Sequence, residues 1–262
     1  MASLRPLRRI LPGLLACVTL AHAAAADQVD LVHARTAGYP FVSAPEYPAG
    51  EYPAGDYFAL RCTASCVLEK QQVRMAKQAV KTSDGKAPGY VLHGGPANSL
   101  FLVRGISGLQ AGPVRTWHVN ARFRDKGAAA LPDKPWTASQ ERRFDIDGAP
   151  LTVKGAFSNR DPNCPNCEHV RVAWEVRHGE LMRTLAVVET NALDLGMPVG
   201  IDDFVVWIGD LDGDGKPDLV VRPQERGDYL HLQLFLSSGL VAGKPWRPAA
   251  RFYYWDPEQL PD

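Results

Sequence analysis

The chain has 262 residues, 45% of them hydrophobic, which is enough apolar material for one or two globular cores. Its 29 basic and 29 acidic residues cancel at neutral pH. This balance excludes the strongly basic surface on which nucleic-acid binding depends, and no polybasic run of the kind that attaches proteins to anionic membranes is present.

The first 26 residues are typical of a bacterial secretory signal peptide. An apolar stretch, Ile10–Leu20, lies between a basic segment and the small residues at 21–26, where a signal peptidase would cut. The basic residues are Arg5, Arg8 and Arg9. The apolar stretch is shorter than the ~20 residues that span a bilayer. We therefore expect a periplasmic or secreted protein with no transmembrane segment.

A lipoprotein signal is the alternative. Leu14–Cys17 matches a lipobox, in which case Cys17 would carry a lipid anchor. Against this, apolar sequence continues past Cys17 to the small residues. Cleavage before Asp27 would remove three basic residues and no acidic ones, leaving 26 basic and 29 acidic residues in the mature chain.

Composition divides the mature chain into three parts. Residues 27–56 are expected to form an N-terminal arm and linker, because the tandem Tyr-Pro-Ala-Gly repeat at 46–55 is typical of an extended, exposed segment. Residues 57–148 are expected to form an N-terminal β-rich domain. Residues 149–262 are expected to form a C-terminal β domain, with the boundary near Asp145–Pro150.

The N-terminal half has several short strand patterns. Ser99–Arg104 is an apolar run typical of a buried strand, and Val114–Arg124 alternates as a half-buried strand would. Val67–Val80 is ambiguous, since it fits either a pair of strands or one short helix. The Ala- and Pro-rich segment Gly127–Gln140 predicts a loop.

The C-terminal half has a clearer strand pattern. Alternate residues from 170 to 176 are apolar, while Arg171, Glu175 and Arg177 lie on the other face. His178–Gly179 then predicts a turn into a hairpin with Leu181–Thr190.

Further strands are predicted around an acidic loop at 210–218. Val199–Ile208 leads into this loop and Leu219–Arg222 leads out, while Leu230–Leu236 and Arg251–Trp255 follow. Many short strands with Gly and Pro turns and little helix predict an all-β fold, as an antiparallel β-sandwich or a set of strongly twisted sheets.

The mature sequence contains four cysteines, Cys62, Cys66, Cys164 and Cys167. Export favours disulfides, and the two close pairs favour the local bridges Cys62–Cys66 and Cys164–Cys167 among the three connectivities that four cysteines allow. A zinc site of all four thiolates and a redox-active Cys164–Cys167 pair are less favoured. The oxidising compartment opposes the zinc site, and the loop context of Cys164 differs from the helix start of a redox motif.

The most specific chemical signal is the loop itself. Four aspartates recur at alternate or nearly alternate positions with two glycines between them; they are Asp210, Asp212, Asp214 and Asp218. Calcium takes six to eight oxygen ligands in flexible geometry, so a tight loop of alternate carboxylates can surround one ion. An EF-hand is excluded, because Val221 stands where that motif needs a bidentate glutamate and the flanks are β-rich.

The segment Gly209–Val221 resembles the calcium-binding core of FG-GAP and VCBS-type repeats. That resemblance implies ligation of Ca²⁺ by the aspartates and by the backbone carbonyl of Lys216, in a strand–loop–strand unit. The implied ligands are Asp210, Asp212, Asp214, Lys216 and Asp218. Only one copy is present, whereas a propeller needs several blades at a fixed period, so a full propeller is not expected.

Catalytic patterns are absent from the sequence. It contains no zinc-protease helix, no nucleophile elbow and no phosphate loop. We therefore expect a non-enzymatic protein with a binding or structural role at the cell envelope, where its partner would be a protein or a glycan. The alternative is a secreted hydrolase or carbohydrate-binding protein acting on polysaccharide, which would require convergent carboxylates in a concave site outside residues 210–218.

Overall fold

The structure is a computed structural model, and it describes residues 29–33, 40–41, 55–82, 85–93, 99–121, 139–158, 169–191, 197–198, 200–226, 229–238, 246 and 248–255. Within these ranges the chain forms eighteen strands and one short helix. All of the strand pairs described are antiparallel.

The N-terminal strands form the first sheet. They are β1 (Asp30–His33), β2 (Pro40–Phe41), β3 (Gly55–Cys62), β4 (Cys66–Thr82), β5 (Gly85–His93), β6 (Ser99–Arg104) and β7 (Gly112–Val114). Their order is β1-β6-β3-β4-β5-β2, with β7 paired to β4. A disulfide joins Cys62 to Cys66 where β3 turns into β4.

The chain then crosses to a second layer. After β7 the chain leaves the first sheet and forms β8 (Thr116–Val119), which belongs to the central sheet described below. The next four strands form a meander of their own: β9 (Gln140–Ile146), β10 (Ala149–Ser158), β11 (His169–His178) and β12 (Leu181–Asn191). Their order is β12-β11-β10-β9. The expected boundary between residues 148 and 149 falls in the turn of the β9–β10 hairpin.

The remaining elements form the central sheet with β8. They are β13 (Met197–Pro198), α1 (Ile201–Phe204), β14 (Val205–Gly209), β15 (Asp218–Val221), β16 (Gln224–Arg226), β17 (Tyr229–Phe235) and β18 (Pro248–Trp255). The sheet order is β13-β16-β17-β15-β14-β8, with β18 paired to β17.

The central sheet is buried on both faces. One core packs it against the first sheet, where the ring of Phe101 meets Trp207 edge-on at 5.9 Å between centroids. The other core packs it against the four-stranded sheet, where Trp174 stacks on Phe204 at 3.9 Å. Burial of both faces explains why the strands that flank the acidic loop are continuous apolar runs, because neither face meets water.

The all-β class with antiparallel sheets is confirmed, and the described strands are not arranged as a closed propeller. The strand at Ser99–Arg104 and the hairpin through His178–Gly179 also agree with the sequence pattern. In the described part of the chain, no helix is long and apolar enough to cross a membrane.

Three predictions made from the sequence pattern were wrong. Residues 67–80 form neither a helix nor a strand pair but part of one 17-residue strand, because β4 pairs first with β3 and β7 and then with β5. The alternating segment from Val114 is split at Arg115, where the chain passes from the first sheet to the central sheet. The run at 199–208 begins with the helix α1 before β14 starts at Val205.

Candidate metal centre

The acidic loop joins two neighbouring strands at one end of the central sheet. Strands β14 and β15 pair directly, and Gly209 opposite Asp218 is the last pair before the loop. Both strands are fully buried, so the loop starts and ends on rigid, packed backbone. Such a base fixes the positions of the first and last aspartates better than a mobile surface loop would.

Asp218 is the innermost residue of the site, with no exposed surface. Its Oδ2 accepts a hydrogen bond from the backbone N–H of Leu211 at 2.7 Å, and its Oδ1 accepts one from the N–H of Ser237 at 2.7 Å. Burial raises the pKa of this carboxyl to about 7 and the nearby Asp212 acts in the same direction, while the hydrogen bonds from Ser237 and Leu211 oppose the shift. The protein therefore holds at the base of the loop a carboxyl group that is costly to ionise without a nearby cation.

Asp210 is held in place by backbone groups on both sides of the loop. Its N–H donates to the carbonyl of Arg115 at 2.9 Å, and its Oδ2 accepts from the N–H of Gly215 at 3.0 Å. Its Oδ1 is buried and has no hydrogen-bond partner among the described residues. A buried carboxylate oxygen without a donor is unfavourable, and a bound cation would satisfy it.

The Arg115 carbonyl that orients Asp210 belongs to a segment that is fixed in turn. The guanidinium of Arg115 lies 2.6 Å from Asp147 Oδ1, and the indole N–H of Trp117 donates to the same oxygen at 3.0 Å. Asp147 lies in the β9–β10 turn. The four-stranded sheet thus contacts the segment whose carbonyl orients Asp210.

Two serines from the end of β17 contact the outer part of the loop. The hydroxyl of Ser237 donates to Asp214 Oδ1 at 2.9 Å, and the hydroxyl of Ser238 donates to Asp212 Oδ2. The N–H groups of Asp214 and Lys216 donate back to the side chains of Asp212 and Asp214 at 3.3 and 2.9 Å. These bonds hold the loop in a compact turn.

Glycines make that turn sterically accessible. Gly213 and Gly215 have φ values of +78° and +80°, in the left-handed region that other residues resist. Gly213 lies between Asp212 and Asp214, and Gly215 lies between Asp214 and Lys216, so the loop turns tightly without a strained side-chain-bearing residue at either position.

The structure brings together three of the four aspartates expected as ligands. One carboxylate oxygen from each of Asp210, Asp212 and Asp218 lies within 4.8 Å of the other two. Asp214 is outside this group, and its Oδ2 lies 3.6 Å from the ammonium of Lys216. Three carboxylates at this spacing repel each other, and oxygen-only donors suit a hard cation such as calcium better than a transition metal.

The expected Cys164–Cys167 pair lies outside the described residues, as do the signal segment and most of the Tyr-Pro-Ala-Gly repeat. The Cys62–Cys66 bridge lies in the first sheet and contributes no group to the acidic loop.

A second polar site, which the sequence pattern missed, lies on the outer face of the four-stranded sheet. It is a groove of about 410 Å³ whose lining includes Glu141, Arg143, Lys154, Glu175 and Arg177. These residues come from three consecutive strands, β9, β10 and β11, and the strand register places them side by side. No local motif could have identified them.

Comparisons with protein-family models, with curated proteins and with solved structures found no match for this chain.

Proposed function

We propose that the loop at 210–218 binds one calcium ion. Asp210, Asp212 and Asp218 would supply carboxylate oxygens, with Asp214 and the Lys216 carbonyl completing the oxygen shell as the family resemblance implies. The observation that carries the proposal is the convergence of three carboxylates within 4.8 Å, one of them with a buried oxygen that has no donor among the described residues.

The ion would act mainly on stability. It would supply positive charge among carboxylates that otherwise repel each other, one of which is fully buried. Because Asp218 also accepts the N–H of Ser237, order in the loop would extend to the end of β17. An ion bound only by the folded chain raises the free energy of unfolding by RT ln(1 + [Ca²⁺]/Kd).

We further propose that the chain is an exported bacterial protein with a binding or structural role at the cell envelope, and that it is not an enzyme. The carboxylates of the loop would be engaged by calcium, which makes them poor general acids or bases. The signal-like segment at 1–26 supports export.

The groove on the four-stranded sheet favours one second candidate, a protein that binds or hydrolyses polysaccharide. Glu141 and Glu175 line it from β9 and β11, so their backbones are about 10 Å apart across two strand spacings. Hydrolysis would need one carboxyl kept protonated by an apolar environment. Glu141 instead has a side chain 44% exposed and pairs with Arg143 at 3.0 Å, which favours binding over hydrolysis.

The calcium assignment is tested by substitution within and outside the loop. Asp212→Ala removes one carboxylate of the cluster, while Asp133→Ala removes one from another part of the chain. We expect isothermal titration calorimetry to show calcium binding that is lost in Asp212→Ala and retained in Asp133→Ala. Equal responses in the two variants would refute the site.

A further inference from the structure

Three cations converge on the outer face of the four-stranded sheet. Thr152 on β10 lies directly opposite Arg143 on β9 and directly opposite Arg177 on β11. Lys154 lies two residues further along β10, on the same face. Directly opposed residues have Cβ atoms about 5 Å apart, so both arginines flank the Thr152 hydroxyl. We call Arg143, Thr152, Lys154 and Arg177 the cationic cluster.

The donors of the cationic cluster are incompletely used. Arg143 uses its Nε–H for Glu141 at 3.0 Å, which leaves other guanidinium N–H groups for a ligand. Arg177 donates to the sulfur of Met182 at 3.7 Å, and a thioether is a weak acceptor. The groove is lined by three cations and two carboxylates, Glu141 and Glu175, so it carries an excess of one positive charge. An oxyanion over Thr152 would balance that excess, and guanidinium groups bind carboxylates and sulfates in bidentate geometry.

The surroundings of the cationic cluster favour a sugar polymer as the carrier of that oxyanion. Glu141 and Glu175 lie on either side of Lys154 in the adjacent cross-strand row. Their carboxylates can accept hydrogen bonds from hydroxyl groups, which a sugar polymer carries along its length and the side chains of a densely acidic peptide lack. The lining has few apolar side chains to receive peptide side chains, although the exposed Met182 can contact the C–H face of a sugar ring. The groove, about 410 Å³, falls within the size range of small-ligand sites.

We propose that this groove binds a polysaccharide bearing carboxylate or sulfate groups, with the cationic cluster holding the oxyanion. The inference deepens the proposed envelope role and rests on it, since it names the class of partner. It does not depend on the calcium loop, which lies on a different sheet, so either proposal can fail alone.

The test compares three polymers that share the dextran backbone with one acidic polypeptide. Wild-type protein is titrated with carboxymethyl-dextran, dextran sulfate and neutral dextran, and with poly-L-glutamate as the peptide arm, in calcium and in EDTA. We expect binding to at least one anionic dextran and none to neutral dextran. Which anionic polymer binds distinguishes carboxylate from sulfate recognition. Preference for poly-L-glutamate, or no binding to either anionic dextran, would overturn the proposal.

Matched variants distinguish binding at the groove from general electrostatic attraction to the protein surface. The double variant Arg143→Gln/Arg177→Gln should lose at least about tenfold in affinity, because each substitution removes charge-assisted hydrogen bonds. The control Arg74→Gln/Lys77→Gln removes the same charge from exposed positions on β4 and should change affinity less than twofold. Circular dichroism melts confirm that both variants fold. Equal losses in the two variants would show non-specific attraction and overturn the site.

Discussion

The carboxylate of Asp218 accepts the backbone N–H of Ser237 at 2.7 Å, across 19 residues of sequence. This bond joins the end of the acidic loop to the end of β17, and the same carboxylate also accepts the N–H of Leu211. Asp218 therefore has a structural role of its own, in addition to the ligand role that we propose. The two roles can be separated by experiment.

We predict that Asp218→Ala destabilises the protein even without calcium. Alanine has no acceptor, so the buried N–H groups of Leu211 and Ser237 would both lose their partner. Leaving a buried donor unpaired costs about 1–3 kcal/mol. Asp212→Ala, at a partly exposed position, should cost less in the same conditions. Urea unfolding in EDTA at pH 6, where the raised pKa keeps the Asp218 carboxyl largely neutral, measures both. Equal losses would contradict a separate structural role for Asp218.

We predict that Gly209→Ala is strongly destabilising. A Cβ at this position would lie 2.1 Å from Cζ2 of Trp207 and 2.6 Å from the carbonyl oxygen of Arg115. The Trp207 ring is buried and cannot move aside cheaply, so overpacking should cost about 1–3 kcal/mol or more. The same Arg115 carbonyl accepts the N–H of Asp210, so calcium affinity should fall as well.

Gly200→Ala is the control for this prediction. At Gly200 the nearest atom to an added Cβ is Asp203 Oδ2 at 4.0 Å, which is ordinary contact. Its melting temperature should stay close to that of the wild type. A Gly209→Ala variant that melts at the same temperature as Gly200→Ala would show that Trp207 and Arg115 leave room for a Cβ at position 209.

The acid stability of the protein should depend on His118. Burial lowers the pKa of this histidine to about 4, and the positive charge of Arg142 acts in the same direction. The folded state therefore keeps His118 neutral, while the unfolded chain takes up a proton below pH 6.5. Stability from this group is full above pH 6.5 and falls as the pH drops towards 4, after which both states are protonated.

The expected loss over that interval is on the order of 1–3 kcal/mol, since the side chain keeps some contact with solvent. Urea unfolding between pH 7 and pH 4, in saturating calcium, measures it. The variant His118→Gln cannot take up this proton, so its stability should fall less with pH than that of the wild type. Parallel pH profiles for the two proteins would rule out the role of His118.

Local pattern predicted the parts of the fold that depend on nearest neighbours. The alternation around Trp174 predicted a strand with one buried face, and Gly179 at the following turn predicted its hairpin. The ambiguity at 67–80 could not be resolved, because the length of β4 depends on pairing with three different strands. Propensity within one segment does not contain that information.

The candidate site was predictable only in part for the same reason. The spacing of Asp210, Asp212 and Asp218 indicated a cation loop, and the structure places these three side chains together. The contacts from Ser237 and Arg115 could not be predicted, because they depend on which strands lie beside the loop. The groove on the four-stranded sheet was missed altogether, since it exists only through the register of its strands.

The most direct test of the central claim is a thermal melt of the mature, oxidised protein in EDTA and in calcium at about 100 times its Kd. Linkage predicts a stabilisation of about 2.7 kcal/mol, which corresponds to a rise of roughly 5–10 °C for a domain of this size. We predict that calcium produces this rise and that magnesium at the same concentration does not. An unchanged melting temperature in calcium, or an equal rise in magnesium, would contradict a specific calcium site at 210–218.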